Sequence, residues 1–237
     1  HKRKMYSAVG SILNFSGLDT AIGWNRDDDA GAGFINFADQ QGGAEQINAL
    51  ANYQNNLGLF ARRVVQLWSM QNDEAANAPF QVLANTGARA AKAARQYGDV
   101  DTFYLSDTGV RSLRARDVTN TAAMSDVGTP IDSYILAYMA TLTDTQIANA
   151  SATVEPIDGR FLLALGTKIF VFSYFPAKKI SAWTWYELDF EISDFAIAGN
   201  RLYARAGNKI YIYGGDDNAT YDDIEVTCWL PFFSARK

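Results

Sequence analysis

The amino-acid sequence predicts an all-β fold, a β-propeller of about five four-stranded blades with one helical insertion near residues 130–148. Three observations predict it. A hairpin pattern recurs five times along the 237 residues, strand-like segments flank its copies in a constant order, and aromatic residues reach 13%, with twelve Tyr and fourteen Phe among many glycine-containing turns. Aromatic side chains suit a pleated, half-buried surface.

The pattern is plainest in RLYARAGNKIYIYG, Arg201 to Gly214, where two alternating runs flank an Ala-Gly-Asn turn in the manner of a β-hairpin. KMYSAVGSILNFSG, Lys4 to Gly17, falls in register with it: Lys4 meets Arg201, Tyr6 meets Tyr203, Gly10 meets Gly207 and Gly17 meets Gly214. NLGLFARRVVQLWS (Asn56 to Ser69) fits with Arg62-Arg63 at the turn. TFYLSDTGVRSLR (Thr102 to Arg114) fits with Asp107-Thr108-Gly109, and RFLLALGTKIFVFS (Arg160 to Ser173) with Gly166. The hairpins begin roughly 40 to 60 residues apart, near the ~40–50 of a propeller blade.

The flanks repeat as well. A strand is expected before four of the hairpins, in INALANY (47–53), AKAARQY (91–97), ASATVEP (150–156) and ISDFAIA (192–198). An outer strand is expected after four of them, in GFINF (33–37), PFQVLA (79–84), AWTWYEL (182–188) and IEVTCWL (224–230). Each unit reads strand, hairpin, outer strand. A single unit of this kind cannot bury both of its faces, and radial stacking buries them and protects the edges. The first unit lacks a strand before Lys4. Phe232 to Arg236 is expected to supply it and close the ring, with a sixth blade in a longer parent chain as the alternative count. The whole span 1–237 reads as one propeller domain.

The third unit departs from the rule. In place of an outer strand comes GTPIDSYILAYMATLTDTQIANA. Thr129 is the expected N-cap and Pro130 the first helical residue. Ile131, Tyr134, Ile135, Tyr138, Met139 and Leu142 keep the spacing of an amphipathic helix. The insertion over 129–148 either caps the blades or contacts a partner.

Composition excludes several classes. With 48% hydrophobic and 20% charged residues the chain is globular rather than disordered. Lys and Arg total 21 against 26 Asp and Glu, a net charge of -5, which argues against tight gripping of nucleic-acid phosphates. One cysteine, Cys228, and one histidine, His1, exclude an intrachain disulfide, a Cys/His zinc site and Ser-His-Asp or Cys-His catalysis within the chain. The opening HKRKMYSAVGSILNF has the look of a signal peptide, but it aligns with the repeat and is read as a strand pair. The longest apolar stretch, Phe161 to Phe175, is interrupted by Gly166 and Lys168, so no membrane span is expected.

Candidate chemistry is sparse. Asp107-Thr108-Gly109 resembles an aspartic-protease signature, but that chemistry needs two carboxylates sharing a proton. A single copy at a hairpin turn is read as a turn. Acidic clusters stand at Asp27-Asp28-Asp29, Asp216-Asp217 and Asp222-Asp223. They are read as solvated loops rather than the paired carboxylates of a glycosidase, and neither spacing matches an EF-hand. Trp68, Trp183, Trp185 and Trp229 lie on expected strands and are read as packing residues rather than sugar platforms. Arg62, Arg63, Arg111, Arg114 and Arg116 are read as dispersed ion pairs. There is no P-loop, GxGxxG or HExxH. Asn14, Asn149 and Asn218 fall in N-x-Ser/Thr triplets of a kind that arises by chance. No catalytic, cofactor-binding or metal-binding residue is assigned, and no cofactor is expected.

Six segments in order, AGAGFINFADQQGGAEQINAL, FARRVVQLWSM, DTFYLSDTGVRSLRARD, DVGTPID, EPIDGRFLLALGTKIFVFSYFPAKKISAWTWY and RLYARAGNKIYIYGG, together resemble the tail nozzle proteins of short-tailed, podovirus-type phages, also described as packaged-DNA stabilisation proteins. The resemblance runs from about Lys4 to Lys237, and family members are usually longer, so it implies the propeller portion of a larger subunit. It implies a virion structural protein of the phage tail that forms a ring, a hexamer in the virion, contacts the tail adaptor and other tail proteins, and holds the genome before conducting it. It implies no catalytic residue. DNA would pass transiently without specific binding, and a mildly acidic surface suits that passage, since many phosphate contacts would retard it. On this reading the loops bearing Asp27, Asp28, Asp29 or Asp216, Asp217 face the channel or its mouth; outer solvent is the alternative. The competing functions are a propeller glycosidase, which needs convergent carboxylates at one end of the axis, and a glycan-binding adsorption module.

Overall fold

The computed structural model describes residues 1–39, 45–99, 101–119, 126–175, 177–178 and 180–215. It is all-β, with small antiparallel sheets and few helices. The first sheet holds β1 (Tyr6–Val9), β2 (Ile12–Phe15) and β3 (Gly33–Asn36); the second holds β4 (Ala49–Tyr53), β5 (Asn56–Phe60), β6 (Val64–Ser69) and β7 (Ala78–Ala84). The third holds β8 (Ala94–Tyr97), β9 (Asp101–Ser106) and β10 (Gly109–Ser112), followed by helix α1 (Leu113–Thr119), then α2 (Asp132–Met139) and α3 (Asp144–Ala148). The fourth holds β11 (Ser151–Val154), β12 (Phe161–Leu165), β13 (Lys168–Phe175) and β14 (Ile180–Glu187), and the last holds β15 (Asp194–Ala198), β16 (Arg201–Ala206) and β17 (Lys209–Ile212).

Strands within every sheet follow chain order, so each sheet is a meander of hairpins. All five expected hairpins form, at β1–β2, β5–β6, β9–β10, β12–β13 and β16–β17. Gly10, Gly166 and Gly207 occupy equivalent turn positions at φ of 60°, 55° and 58°, a left-handed backbone that favours glycine. Two of the five sheets have four strands among the described residues. The segments expected to add a strand to the fifth sheet (224–230) and a leading strand to the first (Phe232 to Arg236) lie outside the described residues, as do Asp216, Asp217, Asp222 and Asp223. The sheets are separate hydrogen-bonded units, and a closed ring of five blades is not among the described features.

Period-two alternation explains how the sheets stack. In β6, Val64 and Trp68 pack into a core shared with Leu13, Phe15 and Phe37 of the first sheet and its trailing residue, while Val65 and Leu67 on the other face pack with Tyr104 of the third. In β12 and β13, Phe161, Leu163, Phe170 and Phe172 face the third sheet and the helices, whereas Leu162, Ala164, Ile169 and Val171 face Leu202 of the fifth. A sheet buried on both faces needs apolar residues at consecutive positions, which is why these strands read as continuous apolar runs. Successive sheets are also joined at their leading strands: β4 lies against β8, β8 against β11 and β11 against β15. Lys92 forms a parallel bridge with Ser151 just ahead of β8.

The helical segment is corrected in detail. The expected single insertion over 129–148 is two helices, and Thr129 and Pro130 lie in the preceding turn. Ile131 takes the N-cap position of α2 without a side-chain cap bond, whereas Thr143 caps α3 in a full capping box with Gln146. Helix α1 was not expected; it begins where the third hairpin was read as continuing to Arg114. Of the two roles left open for the insertion, packing is observed: Ile131, Ile135, Met139 and Ile147 join the core between the third and fourth sheets.

Candidate functional site

The loop between β2 and β3 carries Asp27, Asp28 and Asp29. It is built around Asn25: its backbone N–H donates to Asp29 Oδ2 at 2.9 Å, its side-chain amide donates to Asp28, and its Oδ1 accepts from the Asp27 N–H at 3.2 Å. Asp27 and Asp28 are exposed and Asp29 is half-buried. The loop leads into β3, the trailing strand of its sheet, at the edge opposite β1. It is tied to the second sheet by Arg26, whose Nε donates to Glu74 Oε1 at 2.7 Å. No group of three or more His, Cys, Asp or Glu able to hold a metal ion occurs among the described residues.

Asp107 occupies the β9–β10 turn and faces two arginines. Arg89 Nη1 donates to its Oδ1 at 2.7 Å and Arg62 Nε to its Oδ2 at 3.1 Å. Arg89 Nη2 continues to Asp144 on α3 at 2.8 Å. Burial disfavours the Asp107 carboxylate, but the hydrogen bonds and charges of Arg62 and Arg89 outweigh it and hold the carboxyl below the usual range. This chain of four groups staples the second sheet, the third sheet and α3 at one end of the hairpins, beside a cleft that Glu45, Asn48 and Arg63 also line. Arg62 and Arg89 each face a carboxylate, so the node is an ion-pair staple.

A second polar cluster is buried under α1. Asp126, 2% exposed, accepts from the Ser112 and Val127 backbone N–H groups at 2.8 and 2.7 Å and lies 3.2 Å from Arg116 Nε. Arg111 Nη1 donates to Asp132 Oδ1 at 2.7 Å. Nearby Asp101 accepts from Ser112 Oγ at 2.6 Å and from the Arg114 N–H at 3.0 Å. Burial raises its carboxyl above the usual range despite these bonds. Tyr104 shares a hydrogen bond with Thr86, and burial pushes its phenol up to about 12. The arginines at 62, 111 and 116 are thus the ion-paired residues expected. Their partners are Asp107 for Arg62, Asp132 and Asp126 for Arg111, and Asp126 for Arg116, and these pairings, like that of Arg89 with Asp144, carry no local sequence signal.

Trp68 is buried, with its Nε1–H donating to Gln66 Oε1 at 3.0 Å, and Trp183 donates to the Val127 carbonyl at 2.8 Å. Trp185 stacks on Tyr134 of α2 at 4.4 Å between ring centroids. These three tryptophans pack the fold; Trp229 lies outside the described residues. Asn14 sits within β2 opposite Phe34, Asn149 is the C-cap of α3, and Asn218 lies outside the described residues.

No family model matches the chain, and no curated protein matches it. Among solved structures it is similar to the AfRom2 CNH domain, at 12% identity and a TM-score of 0.51, covering 89% of this chain and 63% of that one. It is also similar to the extracellular domain of BT4673 from B. thetaiotaomicron (13% identity, TM-score 0.47, 94% of this chain and 28% of that one) and to BamB from Moraxella catarrhalis (8% identity, TM-score 0.46, 88% and 53%). The chain therefore spans less than two thirds of the length of each. At these identities the AfRom2 likeness bears on fold alone and supports a propeller-like arrangement.

Proposed function

We propose that this chain is the propeller portion of a tail nozzle protein of short-tailed phages, a virion structural protein without a catalytic role. In this reading it retains packaged DNA and helps form the conduit for its release. The observation that carries the reading is the ordered resemblance of six sequence segments. The fold is consistent with it, because FARRVVQLWSM covers the β5–β6 turn and β6, DTFYLSDTGV covers β9 and its turn into β10, RLYARAGNKIYIYGG is the β16–β17 hairpin, and DVGTPID leads into α2. None of these segments needs a reaction to explain it.

The five stacked sheets support closure into a five-bladed ring. Among the described residues the outward faces of the first and fifth sheets carry exposed apolar side chains, Val9 at 68% and Ile210 at 72%. Closing the ring removes both faces from water. Along the line of leading strands Lys92 Nζ, beside the third sheet, reaches Asp194 Oδ2 of the fifth at 2.6 Å. A duplex whose major groove alone is about 12 Å wide cannot pass there. The conduit in this reading lies between copies of the chain in a ring, a hexamer in the virion, docked on the tail adaptor. A trailing-edge loop such as that of Asp27–Asp29 suits the wall of an inter-chain passage better than the axis of one propeller.

The test is electron microscopy of source phage particles labelled with antibody raised against the chain. Label at the tip of a short tail supports the nozzle reading. Label absent from particles, with the protein soluble in the lysate, overturns it and puts glycan hydrolysis first.

A further inference from the structure

The trailing strand of a sheet presents unpaired backbone groups along its outer edge, and a bare edge is a template for another strand. Most of the trailing edges here are blunted. β3 is four residues long, and β7 carries Pro79 and a register shift opposite Leu67 and Trp68. The β10 edge is covered. The Ser112 N–H donates to Asp126 Oδ1 at 2.8 Å, and Gly128 lies so close that a Cβ there would collide with the Val110 carbonyl. β14 has none of these devices. It is eight residues long, contains no proline and is uncharged from Ile180 to Tyr186. Its one charge, Glu187, is paired with Lys168 at 2.6 Å. Among the described residues no strand pairs with its outer edge. That edge belongs to the fourth sheet, so closing the ring between the first and fifth sheets does not cover it.

The hydrogen-bond phase of β14 is fixed. The Leu188 N–H donates to the Thr167 carbonyl at 2.9 Å, just beyond the Lys168–Glu187 pair. Bonded and non-bonded pairs alternate in an antiparallel ladder, so Ser181, Trp183, Trp185 and Glu187 turn their N–H and C=O groups to the free edge. A second β14, run antiparallel about a two-fold axis through Thr184, sets Trp183 against Trp185 and Ser181 against Glu187. This register uses every outward residue, places the small Ala182 opposite Tyr186 and brings no like charges together. We propose that β14 is a self-association edge that pairs with the same strand of a second copy of this chain, joining two four-stranded sheets into one. The contact is isologous, whereas a ring of six closes through heterologous contacts, so the proposal does not rest on the nozzle reading.

Thr184 is exposed and faces its own copy in this register as a non-hydrogen-bonded pair, with Cα atoms about 4.5 Å apart, a spacing that a disulfide spans. The experiment is sedimentation equilibrium of the full chain and its Thr184 variants, with thermal melts to show that each folds. A single strand pair buries little area, so a dimer of micromolar affinity is expected. Thr184→Lys and Thr184→Glu each set like charges face to face and should raise the dimer dissociation constant about tenfold or more. Mixing the two variants should restore a dimer. Thr184→Cys combined with Cys228→Ser should form an intermolecular disulfide under mild oxidation, and Ile180→Cys in the same background should not. A wild-type chain that is monomeric at about 100 µM, a dimer that Thr184→Lys leaves intact, a mixture that does not re-associate, or cross-linking at position 180 in place of 184 would each overturn the proposal.

Discussion

Asp107 belongs to an Asp-Thr-Gly triplet whose protease chemistry depends on two carboxylates sharing a proton; its partners in the fold are instead two guanidinium groups. Because its folded pKa is depressed, the stability it contributes is present above the unfolded carboxylate value of about 3.9 and is lost as pH falls through the lower folded value. Asp107→Ala is expected to cost about 1 kcal/mol at neutral pH, discounted because roughly a third of the carboxylate stays in water. Denaturant titrations of the two proteins should converge as pH falls through the folded value of Asp107. Asp101 works in the opposite sense. Burial raises its pKa, so ionising it opposes folding, and its contribution is fullest at low pH and is lost as pH rises through the folded value.

At the scale of elements, the insertion and the hairpin turns make the sharpest contrasts. Ile135 of α2 is fully buried in the core shared with the third and fourth sheets, whereas its neighbour Leu136 is 39% exposed. Ile135→Ala is expected to destabilise by about 2–4 kcal/mol and Leu136→Ala by about 0.5 or less, measured as the shift in urea midpoint at constant slope. The turn glycines divide in the same way. Gly207 has open space around it, so Gly207→Ala should cost only the left-handed strain of about 1–2 kcal/mol. Gly166 has the same backbone but lies under Tyr138 and Leu142 of the insertion, and Tyr138 Oη accepts the Thr167 N–H at 3.1 Å. Gly166→Ala should therefore cost more than Gly207→Ala and lift α2 from the sheet, read as faster exchange of the Thr167 amide.

At the scale of the whole molecule, stability is a chain of interfaces. Each neighbouring pair of sheets shares its own core, and among the described residues the first and last sheets carry exposed apolar side chains on their outward faces. In the proposed closed ring those faces are covered, so deleting residues 231–237 should lower the melting temperature and increase binding of a hydrophobic dye. An unchanged melt would show that closure is not made by that segment. The Lys92–Asp194 pair ties the third sheet to the fifth at the leading edge. Being half-exposed, it should contribute less than about 1 kcal/mol, so Lys92→Met should alter salt dependence more than stability.

The five hairpins, the four strands expected before them, the three described strands after them (β3, β7 and β14) and the existence of a helical insertion were legible in the sequence, because hairpin chemistry is local. Alternation, a glycine at φ near +60° and a short loop specify two strands and their register without distant neighbours. The apolar positions of the insertion, Ile131, Ile135 and Met139, were legible for the same reason, though its division at Thr141–Thr143 depends on a capping box that competes with Thr129-Pro130. Only the tertiary structure decided which charges meet. Arg89 finds Asp107 and Asp144, Arg116 finds Asp126, and Arg26 finds Glu74, across gaps of many residues. Such pairs depend on how sheets stack, and stacking is set by the sum of many apolar contacts rather than by any spacing along the chain.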